Sequence, residues 1–297
     1  RTGGTVPISL KQTWEETAVA PSFTGLLNET YGSGAAAAYS TRRLNGNVTD
    51  CMVIRRASDS TTTTIGFVDG DIDEAAISTF CAGTTCTVYT WTDQSGNGND
   101  ATAATTANEP TIYTGGAIVK NSFGKVSLDI GSASKFENIT TLDYGTIYAF
   151  SLGQTIARRI IFDINSYQGF ENAMWNGVGG KLNNIYANNI GFDGDFLNDG
   201  MSHLLTASVV SNSINGSTDG TAEISATRTV TGTGYLSLFA RNTGNAQVSE
   251  SIIYTSDKST NQTSIESNIG DYFTQNTPLL DTYTGAAACY SLRLMRT

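Results

Sequence analysis

His203 is the one histidine in the sequence, so any Ser-His-Asp or Cys-His nucleophile system would have to be built around it. Acidic side chains are the other chemical resource. Asp69, Asp71 and Asp73 alternate as in a calcium loop, but Phe80 stands where the bidentate carboxylate belongs, which makes the trio a solvated acidic turn. Asp193, Asp195 and Asp199 form a second acidic turn and are the calcium candidates; no other cofactor is implied. Gly96 and Gly98 lack the Gly-Lys-Ser/Thr that completes a phosphate loop, so nucleotide hydrolysis is excluded. Cys81 and Cys86 bracket four small residues and are expected to form a disulfide. Cys51 and Cys289 carry no assigned pairing. For binding a glycan by stacking and hydrogen bonding, the candidates are Tyr167, Trp175, Asn176, Arg241 and Asn242, although Trp175 reads equally well as a core residue.

The elements that must position these groups are strands. In CAGTTCTVYTWTDQSGNGNDA, residues 81 to 101, a clipped loop leads into a run rich in Thr, Val, Tyr and Trp. Gly96 and Gly98 then supply the positive backbone angles of a sharp reversal. Residues 65 to 80 read as a strand turning into a short helix or turn with Ile77 and Phe80 as its apolar edge. GAIVKNSFGKVSLDI, TIYAFSLG and ARRIIFDINSYQG read as hairpin strands. Near the end, SDKSTNQTSIESNIGDYF predicts a closing helix over the open end of a sheet. Ile265, Ile269 and Tyr272 or Phe273 lie on one side of it, and Thr263 and Glu266 form a capping-box pattern.

Residues 35 to 104 hold an ordered set of motifs: Ala-Tyr-Ser-Thr-Arg, Arg-Arg-Ala-Ser-Asp, FCAGTTC and DQSGNGND. In this order they resemble the catalytic domain of the fungal-type α-L-arabinofuranosidase B family, a jelly-roll sandwich related to concanavalin A and laminin-G modules. They are also similar to tandem modules in bacteriophage virion and tail proteins. The laminin-G likeness extends to the turn LNDGMSH and implies a structural role for His203. The hydrolase likeness implies a nucleophilic Glu on a His-Met-Glu strand and an acid Asp on a Gly-Gly-Asp-Asn strand. Laid on ARRIIFDIN and FARNTGNAQ, these motifs put Arg159 and Arg241 where the two carboxylates belong, with Asp163 and Glu171 left as displaced alternatives. Two Arg cannot supply the charge pair of a glycosidase, so this placement implies a protein that is not an enzyme.

Only 15% of residues are charged and the net charge is -10, which disfavours nucleic acid as a partner. No apolar run has the length of a membrane span. The 39% hydrophobic content suits one large core. LLNETYGSGAAAAYSTRRL at 26 to 44 returns as LLDTYTGAAACYSLRLM at 279 to 295, an internal repeat. The expected organisation is an N-terminal arm at 1–25, an all-β jelly-roll sandwich at 26–275 with a short closing helix, and a C-terminal arm at 276–297. Leu292 to Leu294 of one copy are expected to pair with Ile8 to Leu10 of a neighbour, so that copies join through their arms, with pairing inside one chain to give a closed monomer as the competing arrangement. The first residue is Arg, which reads as processing or a fragment. The composite expectation is a non-catalytic structural or adhesion module, extracellular or on a virion, oligomeric and possessing a surface-glycan partner. An arabinofuranosidase-like glycoside hydrolase is the alternative.

Overall fold

The computed structural model describes residues 23–155, 159–165, 170–174, 184–187, 190–194, 199–239 and 244–274. It is an all-β sandwich of two antiparallel sheets with two α-helices, as the turn-punctuated strand pattern predicts. The arms at 1–22 and 275–297, and with them the Ile8 to Leu10 and Leu292 to Leu294 pairing and Cys289, lie outside the described residues.

The larger sheet has fourteen strands, and its centre is Ile147–Thr155 between His203–Val210 and Ala246–Tyr254. From Ala246–Tyr254 it continues through Leu128–Ile130, Thr111–Thr114, Cys86–Trp91, Asp50–Arg56 and Thr62–Val68. The second sheet has six strands in the order Phe136–Asp143, Thr233–Leu238, Arg159–Ile164, Phe170–Met174, Asn184–Ala187 and Ile190–Asp193. Strand alternation places Ile147, Ala149, Leu205, Ala207 and Ile253 between the sheets, where they meet Trp91, Phe136, Phe162 and Leu236. The opposite residues of the same central strands, Tyr148, Phe150, Leu152, Leu204, Ile252 and Tyr254, form a second apolar layer.

Helix α2 (Gln262–Thr274) covers that second layer with Ile265, Ile269 and Phe273, all fully buried. It therefore seals a sheet face and not the open end that its position in sequence suggests. The expected capping box does not form. Thr263 already lies inside the helix, and Glu266 Oε1 instead accepts from Thr206 Oγ1 at 2.6 Å, Ser217 Oγ at 3.0 Å and Gln262 Nε2 at 2.8 Å. Helix α1 (Glu74–Phe80) follows the first acidic turn as expected, with Asp73 as its N-cap accepting from Ala76 N at 2.8 Å.

The expected hairpin over residues 116 to 130 closes at its tip, where Lys120 bridges Val126, Ser127 N donates to the Val119 carbonyl at 3.0 Å and Asn121 N to the Lys125 carbonyl at 2.9 Å. Its outer ends pair elsewhere: Ala117–Ile118 joins Thr111–Thr114, and Leu128–Ile130, buried in the core at Leu128 and Ile130, joins Ala246–Val248. TIYAFSLG and ARRIIFDIN part company, since Ile147–Thr155 is central to the large sheet while Arg159–Ile164 belongs to the small one.

The DQSGNGN turn is a cradle for the segment beginning at Ala35. Asp93 Oδ1 accepts from Ala38 N and Ser95 N, both at 2.9 Å, and its Oδ2 accepts from Ser95 Oγ at 2.7 Å and Asn99 N at 3.0 Å. Gln94 accepts from Leu44 N at 2.7 Å and donates to the Ser40 and Arg42 carbonyls. Asn97 and Asn99 donate to the Ala35 and Ala36 carbonyls. Gly96 and Gly98, at φ +90 and +73, make the reversal. Beside it Cys81 and Cys86 are joined in a disulfide, and Cys51 is a buried free thiol.

Candidate functional site

The small sheet carries the groups of greatest chemical interest. On its strand Arg159–Ile164, Phe162 and Ile164 are fully buried in the core between the sheets, so Asp163 between them belongs to the opposite face. Its register partners are Ser237 on one side and Glu171 on the other. Glu171 in turn pairs with Tyr186, and Tyr186 with Gly191. The ladder thus draws one row across the face, Ser237, Asp163, Glu171, Tyr186, Gly191, with two carboxylate residues in adjacent places. Directly opposed positions of an antiparallel pair lie about 4.5–5.5 Å apart at Cα and share a face. Asp163 is only 3% exposed and Ser237 7%.

A bulge between Ile160 and Phe162 shifts the pairing ahead of Asp163. Arg159, expected at the nucleophile position, is the register partner of Met174 at the start of its strand and stands outside the Asp163–Glu171 row. Counting by twos from Arg159 cannot find the right face, because the bulge resets the alternation. Arg241, the other expected replacement, lies outside the described residues, as do Tyr167, Trp175, Asn176 and Asn242.

His203 is held between two carboxylates. Its Nδ1 is 2.7 Å from Asp219 Oδ2 and its Nε2 2.9 Å from Asp199 Oδ1. Burial disfavours the charged ring, but the hydrogen bonds and charges of Asp219 and Asp199 outweigh it and raise its pKa to about 9. With both ring nitrogens occupied and no nucleophile among its partners, the group ties the start of its strand to the turn at Asp219, whose Oδ1 accepts from Leu204 N at 2.9 Å. It also borders a cavity of about 550 Å³ under α2, lined by Phe123, Met201, Leu204 and Glu266 among others.

The acidic turns do not converge. In the first, Asp71 bonds Tyr272 Oη, Asp73 caps α1 and Asp69 sits at a turn with φ +51. In the second, Asp193 ends its strand opposite Asn184, Asp195 is outside the described residues, and Asp199 is engaged by His203 and by Met201 N at 2.8 Å. Among the described residues no group of three or more His, Cys, Asp or Glu could hold a metal ion.

Residues 28–155 match the family model of the α-L-arabinofuranosidase B catalytic domain. Similar solved structures include an arabinofuranosidase complexed with arabinofuranosyl-α-1,2-xylobiose, with a TM-score of 0.62 at 19% identity. A glycoside hydrolase family 54 α-L-arabinofuranosidase soaked with a cyclic sulfate inhibitor gives 0.63 at 18%. Both alignments cover 82% of this chain and 63% of the other, so the chain spans less than two thirds of those proteins. No curated protein matches it in sequence. The structural likeness establishes a shared sandwich fold.

These findings correct the expectation of a non-catalytic structural or adhesion module. The matched model describes a catalytic domain, and nothing among the comparisons supports the virion or tail-protein likeness.

Proposed function

We propose that this chain is a glycoside hydrolase of the arabinofuranosidase B type, removing α-L-arabinofuranosyl groups with Asp163 and Glu171 as its carboxylate pair. The observation that carries the reading is their register as direct cross-strand partners in the small sheet. A retaining mechanism needs two carboxyl groups about 5–5.5 Å apart, one attacking the anomeric carbon and one passing the proton to and from the leaving oxygen. Directly opposed positions on one rung of a ladder offer that separation, whereas the wider gap for an inverting water needs groups on non-neighbouring positions. The family model over residues 28–155 supports the reaction class, and an arabinofuranosyl-xylobiose is the substrate suggested by the complexed structural relative. The Cys81–Cys86 disulfide supports secretion into an oxidising compartment, and among the described residues no helix is long and apolar enough to cross a membrane.

The test is hydrolysis of 4-nitrophenyl α-L-arabinofuranoside and arabinofuranosyl-xylobiose by wild type, Asp163→Asn and Glu171→Gln. Each variant is expected to lose at least about a thousandfold in kcat/KM with unchanged circular dichroism, and the first-formed sugar should keep its anomeric configuration. Full activity in both variants, or inversion, would overturn the assignment. Added azide restores turnover with opposite stereochemistry in the two variants and so tells nucleophile from acid/base.

A further inference from the structure

Tyr235 is the most exposed large apolar side chain among the described residues, at 59%, and it stands on a strand whose neighbours Leu236 and Leu238 are fully buried in the core. Alternation puts it on the same face of the small sheet as Ser237, two residues further along Thr233–Leu238. Ser237 is the register partner of Asp163, so Tyr235 lies one row away from the carboxylate row, at about 7 Å along the strand. The rest of its row is polar and open. Thr141, its partner on Phe136–Asp143, is exposed, and on the other side Asn165 N donates to the Tyr235 carbonyl at a turn with φ +62. A phenol ring left in water in a row of small polar residues, one sugar ring's span from paired carboxylates, has no packing role in the fold.

We infer that Tyr235 is the stacking platform of an acceptor subsite, holding the backbone pyranose from which the arabinofuranosyl group is cut. This rests on the hydrolase reading and adds to it the residue that selects the part of the substrate beyond the scissile bond. An aromatic face suits the C–H face of a pyranose, and Thr141 can meet its hydroxyls.

The experiment compares wild type, Tyr235→Ala and Tyr235→Phe on arabinofuranosyl-xylobiose and on methyl α-L-arabinofuranoside, whose aglycone is too small to reach the platform. Tyr235→Ala should lose about tenfold in kcat/KM on the xylobiose substrate, mainly through KM, with methyl glycoside turnover within about twofold and Tyr235→Phe close to wild type. Equal losses on both substrates, or none on either, would overturn the inference. Calorimetric titration with unbranched xylotetraose separates the two levels of the argument. Absence of hydrolysis in wild type would sink the hydrolase reading, while xylotetraose binding weakened about tenfold by Tyr235→Ala would still support the platform; no binding to wild type would overturn it.

Discussion

His203 shows how a lone titratable side chain in this chain serves stability. Its pKa of about 9 lies above the ordinary value of 6.5, so the folded state binds the proton more tightly than the unfolded chain does. The stabilisation is therefore fully present below pH 6.5 and is lost as pH rises through about 9. Asp219 and Asp199 have side chains 50% and 56% exposed, which screens the interaction and leaves on the order of 1–2 kcal/mol. Urea unfolding at intervals from pH 6 to 10 should show that decline in wild type and a flatter profile in His203→Gln. A decline of the same size in both would assign the effect to other groups. At the same scale, Arg42 and Glu250 form a buried pair at 2.7 Å that also receives Ser40 Oγ, so neither charge is left unsatisfied beneath α2.

Among the elements, the DQSGNGN turn matters because it ties down the strand Ala37–Ser40 with polar contacts. Ala37 and Ala38 are fully buried but small, and the strand's one large apolar side chain, Tyr39, packs against Trp91 in the core. Polar contacts add to that packing, and Asp93 alone accepts four hydrogen bonds, one of them from Ala38 N. Asp93→Ala should destabilise the fold by about 3 kcal/mol, because the buried Ala38 N–H loses its acceptor and three partly buried donors lose theirs. Asp93→Asn keeps one carbonyl acceptor and should recover part of the loss. Denaturation midpoints of the three proteins measure both effects, and equal midpoints for Ala and wild type would refute a structural role for the turn. The motif that most specifically marks the family likeness is therefore scaffolding for the strand Ala37–Ser40.

For the whole molecule, the large sheet is apolar on both faces, and this makes α2 a necessary third layer. Phe150, Ile252 and Tyr254 are fully buried in a layer covered by Ile265, Ile269 and Phe273 of α2 together with Leu26, Leu27 and Leu44. Removing residues 256–297 should uncover that layer, giving a protein that binds a hydrophobic dye and melts well below the full chain. Phe273→Ala is the milder version, with an expected cost of about 3–5 kcal/mol. If the truncated chain melts with the full one and stays dye-free, α2 is an ornament. The proposed active face lies on the other sheet, so Phe273→Ala should leave KM unchanged at temperatures where the variant remains folded.

Local signals carried much of this architecture in the sequence. The Thr-, Val- and Tyr-rich runs with their Gly turns announce strands, the spacing of Ile265, Ile269 and Phe273 announces a helix, and the short gap between Cys81 and Cys86 announces a disulfide, because each depends on residues close together in the chain. Pairing across the chain was not legible in the same way. Leu128–Ile130 chooses Ala246–Val248 over its near neighbour, and Thr263 and Glu266 give up a cap for packing against the sheet, since long-range burial outweighs local preference. The proposed carboxylate pair belongs to this second kind, since the sequence offered Asp163 and Glu171 only as displaced alternatives to Arg159 and Arg241 and gave no sign that the two are cross-strand partners. Only the bulged register, set by which side chains the core accepts on Arg159–Ile164, makes Asp163 and Glu171 cross-strand partners.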